Sequence, residues 1–111
     1  MTKTATIRRS TSYQDHPIPL TILALINVTP GCEAKLIASL TTVAEASRKE
    51  EGCIQYGMHL DNEDPSFIMF YETWATKALW LEHMKSEHLK VHNAATEGCI
   101  AKLALHEMTK Q

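Results

Sequence analysis

Two short segments of this chain are apolar on both of their faces. In Leu20–Val28 (LTILALINV), an extended strand carries Leu20, Ile22, Ala24, Ile26 and Val28 on one side. Its other side carries Thr21, Leu23, Leu25 and Asn27. Phe67–Trp74 (FIMFYETW) sets Phe67, Met69 and Tyr71 against Ile68, Phe70 and Trp74. Strands of this kind need cover on both sides. Burying one large apolar side chain contributes about 1.5–3 kcal/mol. Leaving Leu23, Leu25 and a face of the second strand in water would remove much of a domain's net stability. Any fold for this chain must therefore cover its sheet twice.

The rest of the pattern says what one of the covers is. Cys32–Glu50 has helical periodicity, with Leu36, Leu40, Val43 and Ser47 on one stripe and Ile37 and Ala44 widening it. Thr29-Pro30-Gly31 turns the first strand into this helix. Glu33 in its first turn and Arg48 and Lys49 in its last suit the helix dipole, and Gly52 stands where a C-terminal cap is expected. Cys53–Leu60 alternates as a strand. The polar turn at 61–66 then joins it to Phe67–Trp74 as a hairpin. Thr76 N-caps a second helix over Lys77–Thr96, with Leu79, His83 and Leu89 on its inner side. Ser86 is a point of interruption, a kink or a fresh cap, and Gly98 ends the helix. Cys99–Met108 is the last strand. The order βαββαβ is the ferredoxin-like α+β arrangement, a four-stranded antiparallel sheet with two helices on one face. The second apolar face then calls for another copy, a homodimer with two sheets face to face.

Length and charge narrow the function. At 111 residues the chain makes one domain. Residues 1–19, rich in Thr, Ser and Arg, read as an N-terminal arm, flexible or contacting a partner, ahead of a domain at 20–111. A net charge of −2 argues against binding nucleic acid through its phosphates. No apolar run approaches the roughly 18 residues of a membrane span, and Met1–Asp15 has no signal-peptide core. Cys32, Cys53 and Cys99 are odd in number and form no C-x-x-C pair, which fits reduced, mostly buried thiols in a cytoplasmic protein. There is no G-x-G-x-x-G, Walker A or G-x-S-x-G sequence, so no motif announces a nucleotide cofactor or a serine nucleophile.

The candidate chemistry gathers near the second helix. His83 faces the sheet side, and its near-neutral reference pKa suits proton transfer. His88 and His92 share a helix face at i, i+4, while His83 lies about 140° around from His88 on a straight helix. With no H-E-x-x-H pairing, these read as solvated or capping histidines and no metal is expected. Trp74 and Trp80, with Tyr56, Phe70 and Tyr71, are able to wall a flat aromatic pocket or to serve simply as core. Glu72, a charge in an apolar strand, needs a partner. His59 and His106 lie near strand ends and face solvent.

Several of these residues form a familiar set. Thr29-Pro30-Gly31, Glu50-Glu51-Gly52-Cys53, Tyr71-Glu72-Thr73-Trp74 leading into Thr76-Lys77-Ala78-Leu79, His83, and Ser86-Glu87-His88 resemble the antibiotic biosynthesis monooxygenase family, including its small quinol monooxygenases. The resemblance runs from about Leu20 to Met108. It implies a dimeric α+β barrel and cofactor-free oxygenation, in which an electron-rich phenol or quinol itself reduces O2. His83 would be the base or anion stabiliser and Trp74 a stacking wall. Tyr71, His88, Phe70, Trp80 and Tyr56 would hold the small aromatic substrate. The polyketide-tailoring members place an Asn four residues before the Trp and a Tyr six after it. Phe70 and Trp80 stand there, so only Trp74 carries over. The haem-degrading members use a first-strand Asn, a Trp and a helix His; this chain has Ala24 at the first-strand position and Asn93 nearest the His position, with His92 one residue off. A further relative isomerises a phosphorylated signalling sugar. Proton transfer on such a substrate, or small-molecule binding without turnover, is therefore the competing expectation.

Overall fold

A computed structural model describes residues 18–111. The expected arm lies outside the described residues except for Ile18 and Pro19. Four strands, β1 (Leu20–Val28), β2 (Cys53–Leu60), β3 (Phe67–Trp74) and β4 (Ile100–Thr109), form one antiparallel sheet in the order β2-β3-β1-β4. The helices are α1 (Glu33–Ser47), α2 (Lys77–Met84) and α3 (Glu87–Ala95). The ferredoxin-like order predicted from the sequence is present, and the two doubly apolar segments are the central strands β1 and β3.

Register explains why the core sits on one face. Ile22, Ala24 and Ile26 lie opposite Glu72, Phe70 and Ile68. In antiparallel pairs such partners share a face. That face meets Leu36, Leu40, Val43 and Ala44 of α1 and Trp80 of α2, all buried. The reverse face pairs Leu23 with Tyr71 and Leu25 with Met69, with Phe67 beside Asn27. These five apolar side chains are only half-buried or, for Tyr71, exposed, because the helices lie on the other side.

The two helical segments end differently from the expectation. α1 stops at Ser47, so Arg48 and Lys49 lie beyond its last turn instead of within it. The Arg48 side chain donates to the Tyr56 carbonyl at 2.9 Å, which ties the departing chain to β2. Gly52 is therefore the glycine that turns the chain into β2, at φ +85°, and not the cap of α1. The second segment is two helices. Lys85 leaves helical geometry and Ser86 is extended (φ −66°, ψ 153°) as the N-cap of α3. Thr76 caps α2 as expected, accepting from the Leu79 N–H at 3.1 Å. Cys99 is buried while Cys32 and Cys53 are half-buried, and all three are free thiols.

Candidate active site

The early end of α1 and the break at Ser86 together build a polar cluster. Glu50, released from α1, reaches α2. Its Oε1 lies 2.6 Å from His83 Nδ1 and 3.3 Å from His88 Nε2. On a straight helix His83 and His88 would point apart; the break brings their rings to 6.0 Å. Ser47 and Ser86 hydroxyls lie 3.2 and 3.3 Å from His88 Nε2.

His83 is 2 % exposed. Trp74 packs on it with ring centroids 4.7 Å apart, and Tyr56 meets it edge-on at 5.4 Å. Burial pushes the His83 pKa below its ordinary value and outweighs the opposing pull of the Glu50 carboxylate. The ring is therefore neutral at pH 7, and its short contact with Glu50 is a charge-assisted hydrogen bond in which Nδ1–H donates. The proton held at Nδ1 leaves the Nε2 lone pair free, the tautomer a general base needs.

Glu72 has found the partner it needed. Its Oε1 accepts from the Trp74 indole N–H at 2.9 Å. Burial, reinforced by the charge of Glu50, pushes its pKa up to about 7 against that hydrogen bond. Burial also pushes the Tyr56 phenol upward, so it stays protonated.

A cavity of about 230 Å³ opens beside His83 between sheet and helices. Tyr56, Phe70, Glu72 and His83 supply one side of its wall, and aliphatic side chains such as Leu40, Leu89 and Leu105 most of the rest. Met84, Leu103 and Leu105 are 46 %, 54 % and 42 % exposed at its rim.

Of the residues singled out in the sequence, His83, Tyr56, Phe70, Glu72 and His92 line this cavity. Trp74 does not line it. Trp74 is fully buried behind His83 and holds Glu72, a supporting position and not a stacking wall. Trp80 is buried in the core away from the cavity, because α2 turns it toward the packing interface. Tyr71 lies on the opposite face of the sheet, as alternation along β3 requires once Phe70 and Glu72 face the helices. His88 supports Glu50 from outside the cavity wall. His92 is not a solvated histidine: it is buried and bonded through Nδ1 to the Ser39 hydroxyl at 2.7 Å. His59 and His106 are exposed. Residue spacing did not single out Glu50 as a site residue, because it lies 33 positions from His83. Its one signal was membership of the Glu-Glu-Gly-Cys motif.

Comparison with known proteins agrees with this architecture. PA3566 of Pseudomonas aeruginosa is 27% identical with a TM-score of 0.82, covering 86% of this chain and 97% of its own. A conserved protein of Methanosarcina mazei Go1 is 24% identical with a TM-score of 0.78, over 89% and 99% of the two chains. An antibiotic biosynthesis monooxygenase of known structure is 20% identical with a TM-score of 0.78, over 83% and 98%. No curated protein sequence matches. Residues 19–95, which carry β1 through α3 and every residue of the cluster, match the family model for antibiotic biosynthesis monooxygenases, and the chain belongs to that family.

Proposed function

We propose that this protein is a monooxygenase that uses O2 on a small quinol or phenolic compound, with His83 as the general base. The observation that carries the reading is the Glu50–His83 pair at the wall of an otherwise apolar cavity. The volume of about 230 Å³ is below the roughly 300–1,000 Å³ of drug-sized sites and suits a compact aromatic ring.

His83 Nε2 takes the phenolic proton, and the resulting phenolate becomes electron-rich enough to reduce O2. One oxygen atom bonds to a ring carbon. The other leaves as water with the two hydrogens the ring gives up, so that phenol and O2 become quinone and water. The substrate supplies the electrons, and no cofactor is needed. Glu50 steadies the imidazolium that forms, as a carboxylate does in a catalytic triad. Glu72 at the cavity wall, its pKa raised to about 7, would donate to a substrate oxygen when protonated. The face carrying Leu23, Leu25, Phe67, Met69 and Tyr71 packs on the same face of a second copy, giving the homodimer of a dimeric α+β barrel.

Oxygen uptake with a panel of reduced quinols and phenols tests the reading. Uptake above autoxidation that disappears in His83→Ala supports it. O2-independent turnover that is lost in the same variant would favour a proton-transfer isomerase. Tight binding with no turnover, indifferent to His83, would favour a binding protein.

A further inference from the structure

We propose that Glu50, His83 and His88 form a binding site for a divalent transition-metal ion of the zinc class, whose occupancy switches the base off. The three ligand atoms, a carboxylate oxygen, His83 Nδ1 and His88 Nε2, all lie within 4.8 Å of one another. Two imidazoles and one carboxylate select zinc-like ions over calcium or magnesium, which prefer oxygen ligands. Ligands at about 2.0–2.1 Å in tetrahedral geometry stand about 3.3 Å from each other. Glu50 Oε1 and His88 Nε2 already have that spacing, at 3.3 Å. The Glu50–His83 contact, 2.6 Å in the free site, would have to lengthen through rotation of the Glu50 side chain, which is 21 % exposed.

The surroundings of His88 point the same way. Ser47 Oγ, Ser86 Oγ and Glu50 Oε1 all stand 3.2–3.3 Å from one ring nitrogen, which makes only one in-line hydrogen bond. A nitrogen with three long contacts and no short one sits beside a point where an ion is better served than any single partner. Both hydroxyls contact the ligating nitrogen itself, so they stand beside the ion's position and not behind the ring.

The consequence for catalysis rests on the oxygenase reading; the binding does not. Free His83 keeps its proton on Nδ1 and its lone pair on Nε2. An ion bound at Nδ1 needs a lone pair on Nδ1 itself, so the proton moves to Nε2. No proton is lost overall, but the ring now presents a donor where the base had been. Metal and base therefore exclude each other.

The test uses tag-free, full-length protein stripped with a chelator. Zn2+ is titrated by calorimetry and Co2+ by visible absorption, without substrate. One ion per chain is expected, with affinity reduced at least about tenfold in Glu50→Gln and in His88→Ala. His59→Ala, an exposed strand histidine outside the cluster, leaves affinity unchanged. Circular dichroism confirms that each variant is folded, and the Co2+ bands of the wild type report nitrogen ligation even if one variant fails to fold. Lack of binding by either ion, or binding unchanged in both cluster variants, overturns the site. In the stripped protein, added Zn2+ is expected to suppress O2 uptake and chelator to restore it. Uptake unchanged by bound Zn2+ overturns the switch. Absence of uptake in the stripped protein itself counts against the oxygenase reading and not against the site.

Discussion

Glu50 Oε1 accepts a hydrogen bond from His83 Nδ1 at 2.6 Å, joining the turn after α1 to the last turn of α2. The pair fixes which nitrogen of His83 is free, and the proposed chemistry depends on that. Glu50 acts through His83, so its removal has a distinctive signature. Glu50→Gln is expected to lower kcat/KM about a hundredfold while leaving KM within a few fold. It should also move the acid limb of the pH profile downward, because the carboxylate no longer favours the imidazolium. A fall in activity with an unmoved pH profile would mark Glu50 as structural only.

The pH dependence of the wild type follows from burial of His83. Its pKa is lowered in the folded protein, so the neutral base persists to a pH below the ordinary value of 6.5. Free-enzyme kcat/KM should therefore hold through pH 6.5 and decline only below it. An acid limb at or above 6.5 in metal-free protein would contradict the assignment.

Glu72 makes the opposite prediction for stability. Unfolded, it releases its proton near 4.5; folded, it keeps it to about 7. Folding thus takes up a proton between these values. The contribution of Glu72 is intact below about pH 4.5 and is lost as pH rises through about 7, by roughly 3 kcal/mol. Urea denaturation of wild type and Glu72→Gln at about pH 5 and about pH 8 checks this. The wild type should lose stability relative to the variant at the higher pH, and a constant difference would refute it.

Gly52 couples the turn before β2 to α2. Its φ is +85°, and an added Cβ would stand 2.4 Å from Leu79 Cδ1 and 2.9 Å from Leu79 Cβ. Gly52→Ala should therefore lower stability by about 2–3 kcal/mol, a fall in Tm of roughly 10 °C or more. Gly98 has a similar φ of +83° with nothing within 4 Å of its Cβ position. Gly98→Ala bears the backbone strain alone and should lose about 1 kcal/mol. Thermal melts of the two variants compare them directly.

Among the described residues nothing covers the reverse face of the sheet, and this predicts assembly. Leu25, opposite Met69, lies in the middle of that face. Light scattering should report a dimer for the wild type and a monomer for Leu25→Lys. A monomeric wild type would leave the face without the cover its composition requires.

The fold was legible because each element carries a local signal: alternation in β2, doubled alternation in β1 and β3, a helical stripe in Leu36, Leu40 and Val43. His83 was legible for the same reason, four residues from Leu79 on the inner side of one helix. What escaped were relationships that close only in space. Glu50 becomes a partner of His83 because α1 ends at Ser47, and sequence periodicity ran that helix three residues further. His83 and His88 meet because Ser86 is extended, a break the sequence marked as a place without giving its angle. Tyr71 and Phe70 are neighbours on opposite faces. Only the register against Ala24 and Leu23 decides which one faces the helices.

The most direct test of the mechanism is turnover of a reduced quinol or phenol under isotopically labelled O2, followed by mass spectrometry of the product. One labelled oxygen atom per product molecule, formed by metal-free wild type and not by His83→Ala, is the predicted result. Product with no label from O2, or labelled product formed equally well by His83→Ala, would contradict it.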